Sequence, residues 1–220
     1  MAKFGDAPAA EFVSQGFEVL EHPEDVVGMI ARAARTCYRS EARDEGSDEK
    51  LVRNLLRLGH EAMVEFATPI QVRITCDRGI SHEIVRHRLF SFAQESQRYV
   101  NSSRHGFEFI IPDGIDESQR YAVGEVCRMA ARSYDALVGD GVRPELARSV
   151  LPNCTATRIC VSGNAREWRH FLRLRCDPNA HPSMRALACD MLDEFRRLMP
   201  VVFDDVAWAV TGFDGGGKDE

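Results

Sequence analysis

The sequence has no segment that predicts a membrane span, an export signal or a glycine-rich nucleotide loop. Its 220 residues include no run near the ~20 apolar residues that a span needs, and the N-terminal MAKFGDAPAAEFV lacks a signal peptide's apolar core. GxGxxG and Walker patterns are also absent. A bound nucleotide would therefore have to be held by arginines and irregular backbone.

Cysteine is present without the spacing of a metal site or a disulfide framework. The seven cysteines form no CxxC pair, and their number is odd. This usage predicts free thiols in a reduced, cytoplasmic setting, with no metal site.

Positive charge is in the minority as well. The formal net charge is −6 and the sequence pI is near 5.7, which argues against non-specific binding of nucleic acid. The 44% of hydrophobic residues is ample for a buried core. A local basic site for a small anion is compatible with this composition.

The periodicity predicts an α+β fold, a single domain with a mixed or antiparallel sheet packed with helices. Helices and a few strands follow one another without regular βα alternation. The tail from 212 to 220 is predicted to be disordered. Predicted helices are Glu24–Thr36, Asp48–His60 with Leu51, Leu55 and Leu58 as its apolar stripe, a helix capped by Ser81 and running through Arg86, Asp116–Val138, Glu145–Val150, one from an Asn164 cap to Arg175, and Pro182–Leu198; predicted strands are Pro69–Asp77, Phe107–Ile111 and Thr155–Val161.

The most unusual stretch is RHRLFSFAQESQRYV, which spans Arg86–Val100. It combines three arginines and a histidine with hydroxyls and amides, an inventory that suits a phosphate plus a hydrogen-bonding ring. Phe90, Phe92 and Tyr99 predict partial burial, and buried arginines need partners. Glu95 is the one acidic residue here, so a bound anion is a reasonable partner; the alternative is a solvated basic patch.

A second cationic stretch is NAREWRHFLRLR, Asn164–Arg175. At helical spacing, one stripe is apolar and ends in Arg175, which we expect to be partly buried and paired. A neighbouring stripe carries Arg166, His170 and Arg173, which are either ligand contacts or ordinary surface charges.

Two further features are less informative. GHEAMVEF places His60 beside two glutamates, but the metalloprotease pattern would need a second histidine at helical spacing. Cys154 and Cys160 are typical of core thiols, and Ser96 has no general base nearby in sequence, so it suits ligand contact better than nucleophilic attack.

Taken together, these motifs resemble the flavin-dependent thymidylate synthases. The family signature is RHR, seven residues, then serine, which Arg86, His87, Arg88 and Ser96 satisfy. AARTCY, GHEAMVEF, ARSVLP and NAREWRHFLRLR follow the family in the same order, over roughly residues 33–185.

The resemblance implies synthesis of dTMP from dUMP, with methylenetetrahydrofolate as the carbon donor and with FAD, reduced by NADPH, as the hydride donor. It also implies a homotetramer with active sites between subunits, and no enzyme nucleophile. It assigns Arg175 to polarisation of the uracil as the catalytic residue. The implied flavin contacts are His60, Arg86, His87, Arg88, Gln94, Asn164, Arg166 and His170; the implied dUMP contacts are Glu83, Arg86, Gln94, Glu95, Ser96, Gln97, Arg98, Arg148 and Arg175.

The chain departs from the family pattern at a few positions. Glu83 stands where relatives often have glutamine, Ala93 and Gln94 where many have Asn-Glu, and Asn179 where a histidine is usual. Two alternatives therefore stay open. One is a flavin or NADPH oxidoreductase on the same fold without methyl transfer, and the other is a nucleotide- or RNA-binding protein.

Overall fold

A computed structural model describes residues 10–42, 44–99 and 102–207. The chain divides into two compact units, Met1–Glu24 with Ala67–Asn164, and Asp25–Phe66 with Ala165–Glu220. The predicted disordered tail lies outside the described residues. In chain order the elements are β1 (Ala10–Phe12), β2 (Gly16–Glu21), α1 (Val26–Tyr38), α2 (Ser47–Arg57), a 3-10 helix (Glu61–Phe66), β3 (Ile70–Asp77), α3 (Arg78–Ile84), β4 (Ser91–Gln94), α4 (Ser102–His105), β5 (Phe107–Phe109), α5 (Glu117–Gly139), α6 (Pro144–Ala147), a 3-10 turn (Arg148–Val150), β6 (Ala156–Gly163), α7 (Ala165–Arg175) and α8 (Pro182–Leu198).

The first unit is built on a four-stranded antiparallel sheet with the strand order β2-β3-β6-β4. β3 is central because its alternating apolar side chains, Ile70 to Cys76, are completely buried. A smaller parallel pair joins β1 to β5. Phe107 and Phe109 of β5 pack with Cys127 and Tyr134 of α5 in a core of their own. The predicted α+β class with an antiparallel sheet is thus confirmed.

The second unit is helical and has an aromatic core. Trp168 of α7 and Phe195 of α8 meet edge to face at 5.3 Å, and Phe203 continues the contact at 5.0 Å from Phe195. Trp168, Phe171 and Leu172 are fully buried. This confirms the apolar stripe that spacing predicted for this helix.

Several predicted boundaries are wrong for identifiable reasons. α3 begins at Arg78 because the Asp77 carboxylate, not Ser81, accepts from the helix at Ile80 N, 2.7 Å away. It ends at Ile84, before Arg86.

The α2 stripe is also shifted from the predicted one. The buried residues are Val52, Leu55 and Leu56, while Leu58 follows the helix and is 49% exposed. Gly59 then takes a left-handed φ of 73°, and the helix ends at Arg57, three residues earlier than predicted.

Sequence periodicity did not predict the short elements β1, β2, β4 and α4, nor the 3-10 helix at Glu61–Phe66. Of these, β4 matters most because it pairs with β6 and carries Gln94 to the edge of the sheet. No helix in the described part of the chain is long and apolar enough to cross a bilayer.

Candidate nucleotide and flavin sites

The RHR motif forms a turn just after α3 in the first unit. Arg86 N donates to Glu83 O at 3.3 Å, and His87 N donates to Ile84 O at 3.1 Å. His87 is buried, whereas Arg86 and Arg88 are exposed on either side of it. The turn leaves the helix, so helix geometry does not fix the directions of the two guanidinium groups. The segment is partly buried, as its aromatic residues predicted, but Arg86 and Arg88 are exposed in the single chain.

Phe90 anchors this turn to the sheet. It is buried, and its ring lies over Gly163 of β6, where an added Cβ would stand 2.3 Å from the ring. Only glycine leaves room for this close approach. Leu89 and Tyr99, by contrast, are 79% and 81% exposed, so the predicted burial of Tyr99 is not observed.

The loop after β4 carries the remaining polar residues of the motif. The Gln94 amide donates to Ser81 Oγ at 2.9 Å and to Thr157 Oγ1 at 3.3 Å. Ser96 Oγ accepts from Arg98 N at 3.2 Å. The Arg98 guanidinium is 3.8 Å from Glu145 and stacks 5.6 Å from the Tyr99 ring centroid. The loop therefore presents short polar side chains and backbone in a tight turn.

A cavity of about 250 Å³ lies beneath this loop, inside the first unit. We call it the anion cavity. It is lined by Arg78, Glu95, Gln97, Ser102, Gly106, Phe107, Glu108, Thr155, Ala156, Thr157 and Arg158. Two of the predicted substrate residues, Glu95 and Gln97, are thus brought together with residues from three other segments.

The two arginines of the anion cavity differ in their partners. Arg158 forms a two-point ion pair with Glu108, at 2.7 and 3.0 Å, and lies 3.6 Å from Glu95. Among the described residues, the buried Nη1 of Arg78 has no hydrogen-bond partner. A buried guanidinium nitrogen without an acceptor is costly, so a ligand acceptor is expected there.

Arg148 strengthens this expectation. The pKa of Arg78 is lowered, first by burial and then by the positive charge of Arg148, with Glu95 acting in the opposite direction. The positive charge of Arg148 disfavours the charged form of Arg78, and an anion bound beside Arg78 would offset that effect. Arg148, predicted from the sequence to contact dUMP, therefore belongs to the same electrostatic environment as Arg78.

Sequence reasoning missed Arg78. The feature of the sequence that could have indicated Arg78 is its position, directly after a buried strand and the helix cap Asp77. Its backbone N–H donates to Asn153 O at 3.0 Å and to Thr155 O at 3.1 Å, which fixes where the side chain starts.

A different cavity, of about 340 Å³, lies inside the second unit. We call it the histidine pocket. It is lined by Ala34, Cys37, Tyr38, Leu55, Gly59, His60, Glu61, Ala62, Met63 and Arg166. Two predicted flavin contacts, His60 and Arg166, are brought together here, and Cys37 and Tyr38 of α1 join them without having been predicted as site residues.

The chemistry of this pocket suits part of a flavin nucleotide. Its volume is within the roughly 300–1,000 Å³ of ligand pockets. Its walls join apolar and aromatic surface to an imidazole and a guanidinium, which can contact an isoalloxazine ring and a phosphate, respectively. The residues that line the histidine pocket therefore fit the flavin that the sequence motifs imply.

The glutamates of GHEAMVEF pair with arginines of α7. Glu65 accepts from Arg166, and Glu61 accepts from Arg173 at 2.6 Å and from Arg169 at 3.1 Å. Arg169 is fully buried and also bonds Asp205 at 2.6 Å and the Val202 carbonyl. In the described part of the chain, no cluster of histidine, cysteine and acidic residues could hold a metal ion.

The pKa of Glu61 reflects this pairing. Burial acts to raise it, but hydrogen bonds and charges from Arg173 and Arg169 outweigh burial, and the pKa is lowered. Glu61 directly follows His60 in sequence, and its pairs with Arg169 and Arg173 link this part of the chain to α7.

Arg175 ends α7 and is half-buried, as expected for the end of the apolar stripe. Arg166 and His170 are exposed on the same helix. Asn164 directly precedes the helix and is half-buried. Asn179 donates through its amide to Asp177 at 2.9 Å, which closes the turn after α7.

A larger groove, of about 720 Å³, runs beside α8 in the second unit. Its walls are mostly apolar, and none of the predicted site residues lines it. The largest of these three cavities is therefore not the one that contains the predicted site residues.

Comparison with known proteins agrees with this arrangement. The family described as "Thymidylate synthase complementing protein" matches residues 18–201. A flavin-dependent thymidylate synthase of Geobacter sulfurreducens is 39% identical over 197 residues, covering 85% of this chain and 84% of that protein. One from Corynebacterium aurimucosum is 34% identical over 209 residues, covering 86% and 83%.

Solved structures give the same result. The crystal structure of the UMP/dUMP methylase PolB from Streptomyces cacaoi, bound with 5-Br dUMP, superposes with a TM-score of 0.75 at 25% identity, covering 88% of this chain and 95% of that one. The same methylase bound with 5-Br UMP gives the same score. The chain belongs to the flavin-dependent thymidylate synthase family.

Proposed function

We propose that this chain is a flavin-dependent thymidylate synthase that methylates dUMP reductively to dTMP. The observation that carries the proposal is the anion cavity, where a buried Arg78 nitrogen has no partner among the described residues. Arg148 does not line the cavity, but its positive charge acts on Arg78. A nucleotide phosphate supplies the acceptor that this Arg78 nitrogen lacks and a negative charge to offset Arg78 and Arg148. The similarity to the methylase that binds 5-Br dUMP supports the same choice of ligand.

Arg78 and Arg148 hold the phosphate, and the Gln94–Arg98 loop closes over it. Gln97 lines the cavity and the turn at Ser96 offers backbone N–H groups. Glu95 lies 3.6 Å from Arg158, so its charge is partly neutralised and repels the phosphate less. Glu83 and Arg98 complete the substrate contacts in this proposal.

Arg175 acts on the uracil. Its fixed positive charge stabilises the negative charge that develops on the ring when the N3 proton leaves, and the C5 carbon then becomes nucleophilic. No serine or cysteine of the chain has to attack the ring. Methylenetetrahydrofolate is the carbon donor.

FAD is the cofactor, and NADPH is its reductant. His60 and Arg166 in the histidine pocket, together with Asn164 and His170, would hold it, and Arg86, His87, Arg88 and Gln94 contribute from the RHR segment. When bound, the reduced flavin supplies hydride.

The proposal includes a homotetramer of single-domain chains in the cytoplasm. The exposed RHR arginines and the nearby Leu89 and Tyr99, 79% and 81% exposed, support a subunit contact at this motif. In such an assembly Arg86 of one subunit contacts dUMP bound by another.

The deciding experiment incubates the purified chain with dUMP, FAD, NADPH and methylenetetrahydrofolate and measures dTMP. Formation of dTMP that requires all four components supports the proposal. NADPH oxidation without dTMP would identify a flavin oxidoreductase instead. If the protein shows no flavin absorbance and takes up no FAD on titration, both of these activities are excluded.

A further inference from the structure

Two thiols of the first unit lie side by side and have no part in the proposed reaction. Cys127 Sγ of α5 is 3.4 Å from Cys154 Sγ in the turn that precedes β6. Cys127 is fully buried, whereas Cys154 is half-buried and reachable by a small oxidant. The pair is therefore in van der Waals contact at the edge of the core.

The sulfurs are close enough to be bridged. A disulfide bond is about 2.05 Å long, so the two sulfurs need to approach by roughly 1.4 Å. The half-buried turn around Cys154 can provide that movement, while α5 holds Cys127 in place. The bridge would close a loop between residues that are 27 positions apart.

The two thiols are chemically unequal. The hydrogen bond with Cys127 lowers the pKa of Cys154, against an opposing effect of burial. The same hydrogen bond and burial raise the pKa of Cys127. Because the thiolate is the reactive form, Cys154 is the sulfur that an oxidant meets first.

The turn that carries Cys154 also builds the anion cavity. Asn153 O accepts from the backbone N–H groups of Arg78 at 3.0 Å and Gly79 at 3.3 Å. On the other side of Cys154, Thr155 lines the cavity. A displacement of the turn is therefore passed to the backbone of Arg78.

We propose that Cys127 and Cys154 form a redox-active dithiol whose oxidation to a disulfide weakens anion binding at Arg78. Hydrogen peroxide is the oxidant. The Cys154 thiolate attacks one peroxide oxygen, which gives a sulfenic acid and hydroxide; Cys127 then displaces water from that sulfur to form the S–S bond. Two thiols lose two electrons and peroxide gains them, so one peroxide gives two waters. The part of the proposal that concerns nucleotide rests on the proposed function.

The first test maps disulfides in the full chain after treatment with a small excess of hydrogen peroxide. The expected product is a peptide pair linking Cys127 to Cys154, reversed by dithiothreitol and absent in Cys127→Ala and Cys154→Ala. Cys160→Ala, which removes a half-buried thiol of β6, is the matched control and should keep the link. The exposed Cys37 reports that the oxidant was active. If Cys37 is oxidised while Cys127 and Cys154 both remain alkylatable, the dithiol proposal is wrong.

The second test compares dUMP binding by calorimetry before oxidation, after oxidation and after re-reduction. We expect the dissociation constant to rise about fivefold or more on oxidation and to recover fully. Cys154→Ala should show no such change on peroxide treatment. A mapped disulfide with unchanged affinity would overturn the coupling to Arg78. The peptide map uses no nucleotide, so it remains readable even if the proposed function fails.

Discussion

Arg169 is fully buried and Arg78 is half-buried, and the surroundings of the two arginines differ in how many hydrogen-bond acceptors they provide. Arg169 in the second unit donates to Glu61, Asp205 and the Val202 carbonyl, and these partners raise its pKa in spite of burial. The pKa of Arg78 in the first unit is lowered by burial and by Arg148, and one of its nitrogens has no partner among the described residues. A cation whose acceptors are all supplied by the protein stabilises the fold. A cation that lacks an acceptor can instead contribute to the binding of an anionic ligand that supplies the acceptor.

Arg175 lies on the same helix as Arg169 but has a catalytic role in the proposed function, so its removal tests activity rather than stability. Arg175→Ala should lower kcat by about 10²–10³-fold, because a fixed positive charge toward the developing uracil anion is lost. FAD uptake should change little. Steady-state dTMP formation and flavin titration measure the two effects.

Arg173→Ala is the control for this prediction, since Arg173 lies on the same turn of α7 and pairs with Glu61 at 2.6 Å. It should keep most of the turnover. Full activity in Arg175→Ala would remove Arg175 from the catalytic role.

Arg169→Met tests the structural member of the comparison. It leaves Glu61 and Asp205 without their shared cation and should lower the free energy of unfolding by about 3 kcal/mol. Urea denaturation followed by fluorescence measures this change.

Arg53→Met is the matched control, because Arg53 is exposed and paired with Glu49 and Asp204 on the surface of the same unit. It should cost less than about 1 kcal/mol. Equal losses in the two variants would contradict the distinction between a buried network and a surface pair.

Arg78→Met, unlike Arg169→Met, should weaken ligand binding without lowering the free energy of unfolding. Stability should be unchanged or slightly higher, because a half-buried and incompletely bonded charge is removed. The dissociation constant of dUMP should rise about tenfold to a hundredfold, as expected for one lost hydrogen bond between charged groups. Calorimetry and urea denaturation on the same sample give both quantities.

Arg73→Met provides the reference for Arg78. Arg73 is an exposed arginine of β3, paired across the sheet with Glu18. Its loss should leave dUMP binding unaltered. If Arg78→Met destabilises the protein as strongly as Arg169→Met and leaves binding intact, the anion cavity is a structural feature.

Arg78 and Arg169 also show which features of the structure could not be predicted from the sequence. The alternation in β3 and the apolar stripe of α7 were predictable, because each depends on a local period that burial then follows. β4 was not, since its four residues are a short edge strand without a clear apolar alternation. Arg78 and Arg169 depend on partners far along the chain: Glu61 is 108 residues from Arg169, and no local pattern reveals whether a guanidinium will find an acceptor.

The smallest effect concerns the pH dependence of the paired network. The folded pKa of Glu61 lies below its ordinary value near 4.5, because Arg173 and Arg169 together outweigh burial. The stability that Glu61 contributes is thus fully present above pH 4.5 and is lost as the pH falls through the folded pKa. Glu61→Gln should be less stable than the wild type at pH 7, by about 1 kcal/mol or less because the pairs are partly exposed, and the gap should narrow on acidification. Urea denaturation at pH 7 and at low pH measures it. A gap that stays constant would mean that Glu61 acts through its shape and hydrogen bonds rather than its charge, and Asp205 would then be, among the described residues, the only acidic partner that stabilises Arg169 by its charge.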